Sequence, residues 1–139
     1  MVCLDTSVAI SFLKGDKKVV QKIAELEDSG AEVRISSITA HEVLFGSYFY
    51  KPTELALTRD FVNSVDVLEF DGECANISAL LRSEAMRAGK SLGIFDSMIA
   101  GIVLAKKETL LTSDRGFVVV NNLGVQLAGK PLKLDAVYI

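Results

Sequence analysis

The sequence predicts a three-layer α/β/α fold with a mostly parallel central sheet of four or five strands, and three observations predict it. Short β-rich runs at Val2–Leu4, Glu32–Ser36, Val65–Phe70 and Thr109–Thr112 are separated by helical segments. The first of them, Val2-Cys3-Leu4, is apolar throughout and does not alternate, as expected of a strand covered on both faces. The chain has 139 residues, of which 50% are hydrophobic, with a mean hydropathy of +0.35, enough for one real core. One domain spanning residues 1–139 is therefore expected, with no internal repeat or linker.

Taken in order, the strand Val2–Leu4 leads into Asp5-Thr6-Ser7, whose carboxylate and hydroxyls suit the cap of a helix reaching about Lys14 and ending near Gly15. Lys17–Ser29 reads as a second helix, with Val20, Ile23, Ala24 and Leu26 apolar and Gly30 as its stop. Glu32–Ser36 is the second strand. Thr39-Ala40-His41-Glu42 has capping-box spacing, so a helix is expected to begin at Thr39 and run past Phe49. Thr53–Asn63 is expected to be helical and Val65–Phe70 to form the third strand. A long amphipathic helix follows, with Ile77, Leu80, Leu81, Ala85 and Ala88 on one face and Gly89 at its end. A further helix covers Asp96–Lys106, a fourth strand Thr109–Thr112, and a weak fifth strand Leu132–Leu134.

Composition narrows the function. The net charge is −3 and the isoelectric point about 5.2, whereas a protein that coats nucleic acid draws its affinity from many Lys and Arg contacts to phosphate. Any nucleic acid is expected to be held locally, with the help of a bound cation. The two cysteines, Cys3 and Cys74, form no disulfide framework, and Cys3 reads as a buried inert thiol. One histidine, His41, excludes a multi-histidine zinc site. The apolar run Met98–Ala105 is far below the ~20 residues that span a bilayer. No basic segment precedes Asp5, so no signal peptide is expected, and the protein reads as soluble and cytoplasmic. So apolar a chain of this size is also expected to offer a face for self-association.

In parallel α/β sheets, ligands bind beyond the carboxyl ends of the strands. Asp5 follows the first strand directly and Asp114 lies just past the fourth, so both are expected at that edge. Each acidic residue also has an ordinary explanation. Asp5, Asp96 and Asp114 stand near helix or turn starts, where Asp caps, and Glu42 occupies the third position of the capping box. The two roles are compatible, because a carboxylate at a helix start can face a ligand.

Four short blocks carry a resemblance. Cys3-Leu4-Asp5-Thr6-Ser7 is an apolar strand, an Asp and then hydroxyls. Ser37-Ile38-Thr39-Ala40-His41-Glu42-Val43 is a hydroxyl-rich strand end with a Glu three places after Thr. Gly93-Ile94-Phe95-Asp96-Ser97-Met98-Ile99-Ala100 is an Asp opening a helix of small and apolar residues. Leu111-Thr112-Ser113-Asp114-Arg115-Gly116-Phe117 is a strand ending in Thr-x-Asp with a Phe close behind. In their order and spacing over nearly the whole chain, these blocks resemble the PIN-domain family, and the small size resembles its VapC-type toxin ribonucleases. Gly116 departs from the pattern, since a side chain often precedes the Phe; this bears on the loop shape and not on the carboxylate.

The resemblance implies an endoribonuclease that hydrolyses RNA phosphodiester bonds, with Asp5, Glu42, Asp96 and Asp114 as catalytic and metal-binding residues. Four clustered carboxylates repel by up to ~4 kcal/mol per close pair at an effective dielectric of 20. Oxygen-only donors favour a hard ion, Mg²⁺ or Mn²⁺, that keeps waters, acidifies one and polarises the scissile phosphate. Asp5 and Asp96 would be the principal ligands, directly or through water. Glu42 would position the attacking water, and Asp114 would help to hold a first or second ion. Thr6, Ser7 and Thr112 are supporting donors to waters or phosphate, or else helix caps. Arg115, Lys90 and Lys14 can meet RNA phosphates or simply remain solvated. His41 points about 100° from Glu42 on the helix and reads as packing. The aromatic residues Phe45, Tyr48, Phe49 and Tyr50 divide between core and a contact face. The family resemblance further implies a homodimer and a VapB-type antitoxin that inserts a segment into the acidic pocket.

Two other readings fit part of the chain. A Mg²⁺-binding receiver domain would use Asp71 as phosphoacceptor and Lys130-Pro131 near its last strand, but it requires a pair of acids after the first strand and leaves Glu42, Asp96 and Asp114 unexplained. A catalytically inactive PIN scaffold would only bind RNA or protein.

Overall fold

A computed structural model of the chain describes residues 1–139 and has the three-layer α/β/α architecture. The elements run β1 (Val2–Leu4), α1 (Thr6–Leu13), α2 (Lys17–Asp28), β2 (Val33–Ser36), α3 (Ser37–Tyr50), α4 (Leu55–Ser64) and β3 (Asp66–Leu68). They continue with α5 (Gly72–Arg87), α6 (Ile94–Lys106), β4 (Thr109–Thr112), α7 (Val118–Asn122), β5 (Gln126–Leu127), β6 (Lys130–Pro131) and β7 (Ala136–Tyr138). Five strands form one sheet in the order β3-β2-β1-β4-β7, with every pair parallel. β5 and β6 form a separate antiparallel hairpin, turned through Ala128 and Gly129 at φ 52° and 77°, the left-handed pair that a tight hairpin turn requires.

The sheet separates two cores, and strand alternation assigns residues to them. Val2, Leu4, Ile35 and Leu111 face α1–α4 and pack with Val8, Ile23, Val43 and Phe61. Cys3 and Leu110 face the other way, against Ile77, Leu81, Ile99 and Phe117 of the α5–α7 layer. Cys3, on the central strand, is completely buried, and its thiol is pushed up to about 12, first by desolvation and then by the charge of Glu108. Helix α6 is buried on most of its circumference and packs closely on α5. A Cβ at Gly101 would meet the Cys74 carbonyl oxygen at 2.7 Å and the Ser78 Cβ at 3.0 Å.

Three expectations need correcting. Helix α3 starts at Ser37 and not at Thr39, because the Ser36 hydroxyl caps it by accepting from the Thr39 N–H at 3.0 Å. A Thr39–Glu42 capping box therefore does not form. The helix expected at Thr53–Asn63 is a 3-10 turn over Pro52–Glu54 followed by α4; Pro52 separates it from α3. The fifth strand of the sheet is Ala136–Tyr138 and not Leu132–Leu134. The Asn121 side chain takes the backbone of Leu134, accepting from its N–H at 2.7 Å and donating to its C=O at 2.9 Å, and the Leu132 N–H donates to the Val125 carbonyl, which removes these groups from a sheet ladder.

The strand order also disposes of the receiver reading. Receivers of the flavodoxin-like type are ordered 2-1-3-4-5, with strand three beside strand one. Here β4 lies beside β1 and β3 lies at the edge. Asp71 caps α5 through the Cys74 N–H and pairs with Lys106, which holds its carboxyl well below the ordinary carboxylate value.

Candidate acidic site at the sheet edge

From β1 the chain leads to β2 on one side, and from β4 to β7 on the other. The gap above β1 and β4 is thus a topological switch point, where α/β sheets open a crevice for ligands. Asp5 stands on one lip and Thr112-Ser113-Asp114 on the other.

Asp5 is buried, and its position is tightly determined. Its Oδ1 accepts from the Thr6 N–H at 2.8 Å, capping α1, while Oδ2 accepts from Thr112 Oγ1 at 2.7 Å and Ser7 Oγ at 3.1 Å. Burial pushes its carboxyl up from the ordinary value in spite of these donors, and the charge of Asp114 adds to the shift. Capping and site geometry coexist in this residue. Asp114 behaves similarly: its Oδ1 accepts from the Gly116 N–H at 2.8 Å, and its own N–H donates to Thr112 Oγ1 at 2.9 Å. The departure at Gly116 acquires a reason here, since a Cβ there would stand 3.0 Å from Asp114 Oδ1.

Glu42 and Asp96 do not cap. With α3 beginning at Ser37, Glu42 falls in the second turn and faces α1, where its Oε1 accepts from Thr6 Oγ1 at 2.7 Å. Thr6 Oγ1 also lies 3.0 Å from Thr39 Oγ1, so hydroxyls from β2, α3 and α1 brace this corner. Asp96 is the third residue of α6, whose cap position is Gly93, and its Oδ2 lies over the Gly93 backbone. Its carboxyl is pushed up to about 6, by burial first and then by the charges of Asp5, Asp114 and Glu42. No hydrogen bond offsets that shift, and none of the ion pairs in the structure includes any of the four acids.

All four acids therefore gather at one edge without a protein cation to balance them. Their donor set is entirely oxygen, which fits a hard dication. No three acidic, His or Cys side chains stand close enough to hold one ion directly, so the fit is to an ion that keeps part of its water shell. Thr39, read from the sequence only as a helix start, and Ser113 belong to the same network; both stand in the quoted blocks, but a hydroxyl's partner depends on which helices meet. His41 is exposed; its ring stacks on Phe45 and is tilted against Phe95, with ring centroids at 6.3 and 6.2 Å, as part of a surface aromatic row.

Comparison with known proteins places the chain in a family. The PIN domain family profile matches residues 2–123, and the chain belongs to that family. It is 31% identical over 121 residues to the tRNA(fMet)-specific endonuclease VapC of Shigella flexneri, covering 86% of this chain and 83% of that protein. Its fold is similar to that of DNA-bound VapBC from Salmonella typhimurium, with 25% identity, a TM-score of 0.75 and coverage of 97% of this chain and 96% of the other. FitAcB from Neisseria gonorrhoeae is likewise similar, with 26% identity, a TM-score of 0.73 and coverage of 86% and 92%. No helix of the structure is long and apolar enough to cross a membrane.

Proposed function

We propose that the chain, acting as one domain, is a metal-dependent endoribonuclease and the toxin of a VapBC-type pair. The observation that carries this reading is the convergence of Asp5, Glu42, Asp96 and Asp114, from four separate parts of the sequence, at the switch point of a PIN-type sheet with no protein cation among them. A bound Mg²⁺ or Mn²⁺ would supply positive charge for the phosphate and an acidified water as nucleophile. Asp5, fixed by Thr6, Ser7 and Thr112, and Asp96, free of other partners, would hold the ion. Glu42, steadied by Thr6, would orient the attacking water and accept its proton, and Asp114 would complete the ring. In-line attack on phosphorus expels the ribose 3′ oxygen.

The relatives named VapC act on RNA, and the initiator tRNA is the first substrate to test. The antitoxin would sit in a groove of about 670 Å³ between α1, α3 and α4, lined by Ile10, Leu13, Val43, Leu57 and Glu42. The exposed row Phe45, Phe49 and Tyr50, at 53%, 60% and 75% exposure, supports a homodimer. The decisive experiment measures Mg²⁺- or Mn²⁺-dependent RNA cleavage by the wild type and by Asp5→Asn. The wild type is expected to cut and the variant to lose at least a hundredfold in rate with its fold intact, in line with losing a main electrostatic contributor. Equal cleavage by both would remove Asp5 from the site, and no cleavage by the wild type would favour the inactive scaffold.

A further inference from the structure

A second groove, of about 440 Å³, lies on the opposite side of α1, between α1, α2 and the chain just past β7. Ser113, Ser11, Lys18, Lys22 and Ile139 line it. Its rim adjoins the acidic site: Ser113 lies between Thr112 and Asp114, and its hydroxyl donates to Ser7 Oγ at 3.0 Å, itself bonded to Asp5. Two acids, Asp16 and Glu25, also line this groove, each held by a neutral donor of its own helix. Asp16 caps α2 through the Val19 N–H at 3.1 Å, and Glu25 accepts from Gln21 Nε2 at 3.2 Å. Lys18 and Lys22 take part in none of the ion pairs. Lys18 and Lys22 stand one helical turn apart on α2, about 6 Å along its axis, and both line the groove that Ser113 shares with the acidic edge.

We propose that the RNA strand entering or leaving the acidic site runs over Ser113 into this groove, with neighbouring phosphates on Lys18 and Lys22. The proposal rests on the nuclease reading and adds the path of the substrate. One helical turn between the two lysines is comparable with the spacing of consecutive phosphates on an extended strand. It also resolves the conflict between an acidic protein and a polyanionic substrate: positive charge is needed only along one short track.

The test uses a fluorescein-labelled, mixed-sequence single-stranded RNA of about twelve nucleotides, bound in Mg²⁺ to the full chain carrying Asp96→Asn to prevent cleavage. Adding Lys18→Gln and Lys22→Gln is expected to weaken binding about tenfold and to reduce the salt slope of log Kd by about 1.4, the contribution of two single-strand phosphates. In the cleaving protein the same pair is expected to raise KM with kcat within twofold, while the melting temperature stays unchanged. Unaltered slope and KM would overturn the groove, and so would the same losses from Lys14→Gln with Lys51→Gln in the opposite groove; in either case the Asp5→Asn result would leave the nuclease reading standing. A parent protein that neither binds nor cuts RNA would overturn both.

Discussion

Burial first, and the charges of Asp5, Asp114 and Glu42 second, raise the carboxyl of Asp96. Between its ordinary value of 3.8 and the folded value of about 6, the native protein holds more protons than the unfolded chain. Metal-free protein is therefore expected to lose stability as pH rises through that window, and to keep the full loss above it. Asp96→Asn removes this dependence and is expected to raise stability at pH 7.5 in EDTA by about 1 kcal/mol, after discounting for solvent screening, or about 3 °C in melting temperature. Mg²⁺ should raise the melting temperature of the wild type and leave the variant nearly unmoved. A variant that melts lower than wild type in EDTA would show that Asp96 is not under electrostatic strain. At this scale the sequence was partly legible. Asp5 and Asp114 could be placed at the sheet edge because a strand end is local information. The competing capping explanation holds for both and fails for Glu42 and Asp96, and only the position of Ser36 and Gly93 as caps decides that. The proton donors Thr39 and Ser113 could not be ranked above other hydroxyls, since their partners lie in other elements.

Helix α6 delivers Asp96, and its placement depends on how closely it approaches α5. Gly101 sets that distance, because the Cys74 carbonyl oxygen and Ser78 occupy the space of a side chain. In an exposed helix, Gly→Ala gains up to about 1 kcal/mol. Here the clash is with backbone, so the sign reverses, and Gly101→Ala is expected to cost about 1–3 kcal/mol in urea unfolding. A stabilised Gly101→Ala variant would mean that α5 and α6 can separate freely. Sequence periodicity located these helices well but read Gly101 only as one more small residue in an apolar run. Element ends were less legible. The Thr39–Glu42 spacing matched a capping box, yet Ser36 was an equally good cap three residues before, and the packing of α3 on α1 selected it. The last strand was misplaced for a similar reason: Leu132–Leu134 is apolar enough for a strand, but Asn121, distant in sequence, holds its backbone.

For the whole molecule, alternating strands and helices made the layered architecture legible, whereas the order of strands in the sheet was not, because it depends on long-range pairing. That order brings Glu108 beneath the sheet beside Arg34. The Glu108 carboxylate is fully buried, neither of its oxygens has a hydrogen bond, and Arg34 Nε stands 3.7 Å away. In sequence, Glu108 follows two lysines and looks like a solvated residue. Arg34→Met strands a buried charge and is expected to cost about 3–5 kcal/mol, while adding Glu108→Leu should recover most of that loss in chemical unfolding. A double variant as unstable as the single one would show that the pair contributes more than mutual neutralisation. The sealed thiol of Cys3 has a practical consequence. Sitting on the middle strand with its proton held far above neutral pH, it is shielded from alkylating reagents while the sheet is closed. With Cys74→Ala in the background, the rate at which iodoacetamide modifies Cys3 becomes a clock for global opening: it should accelerate in step with urea-induced unfolding, and a fast reaction in native buffer would reveal that the centre of the molecule breathes.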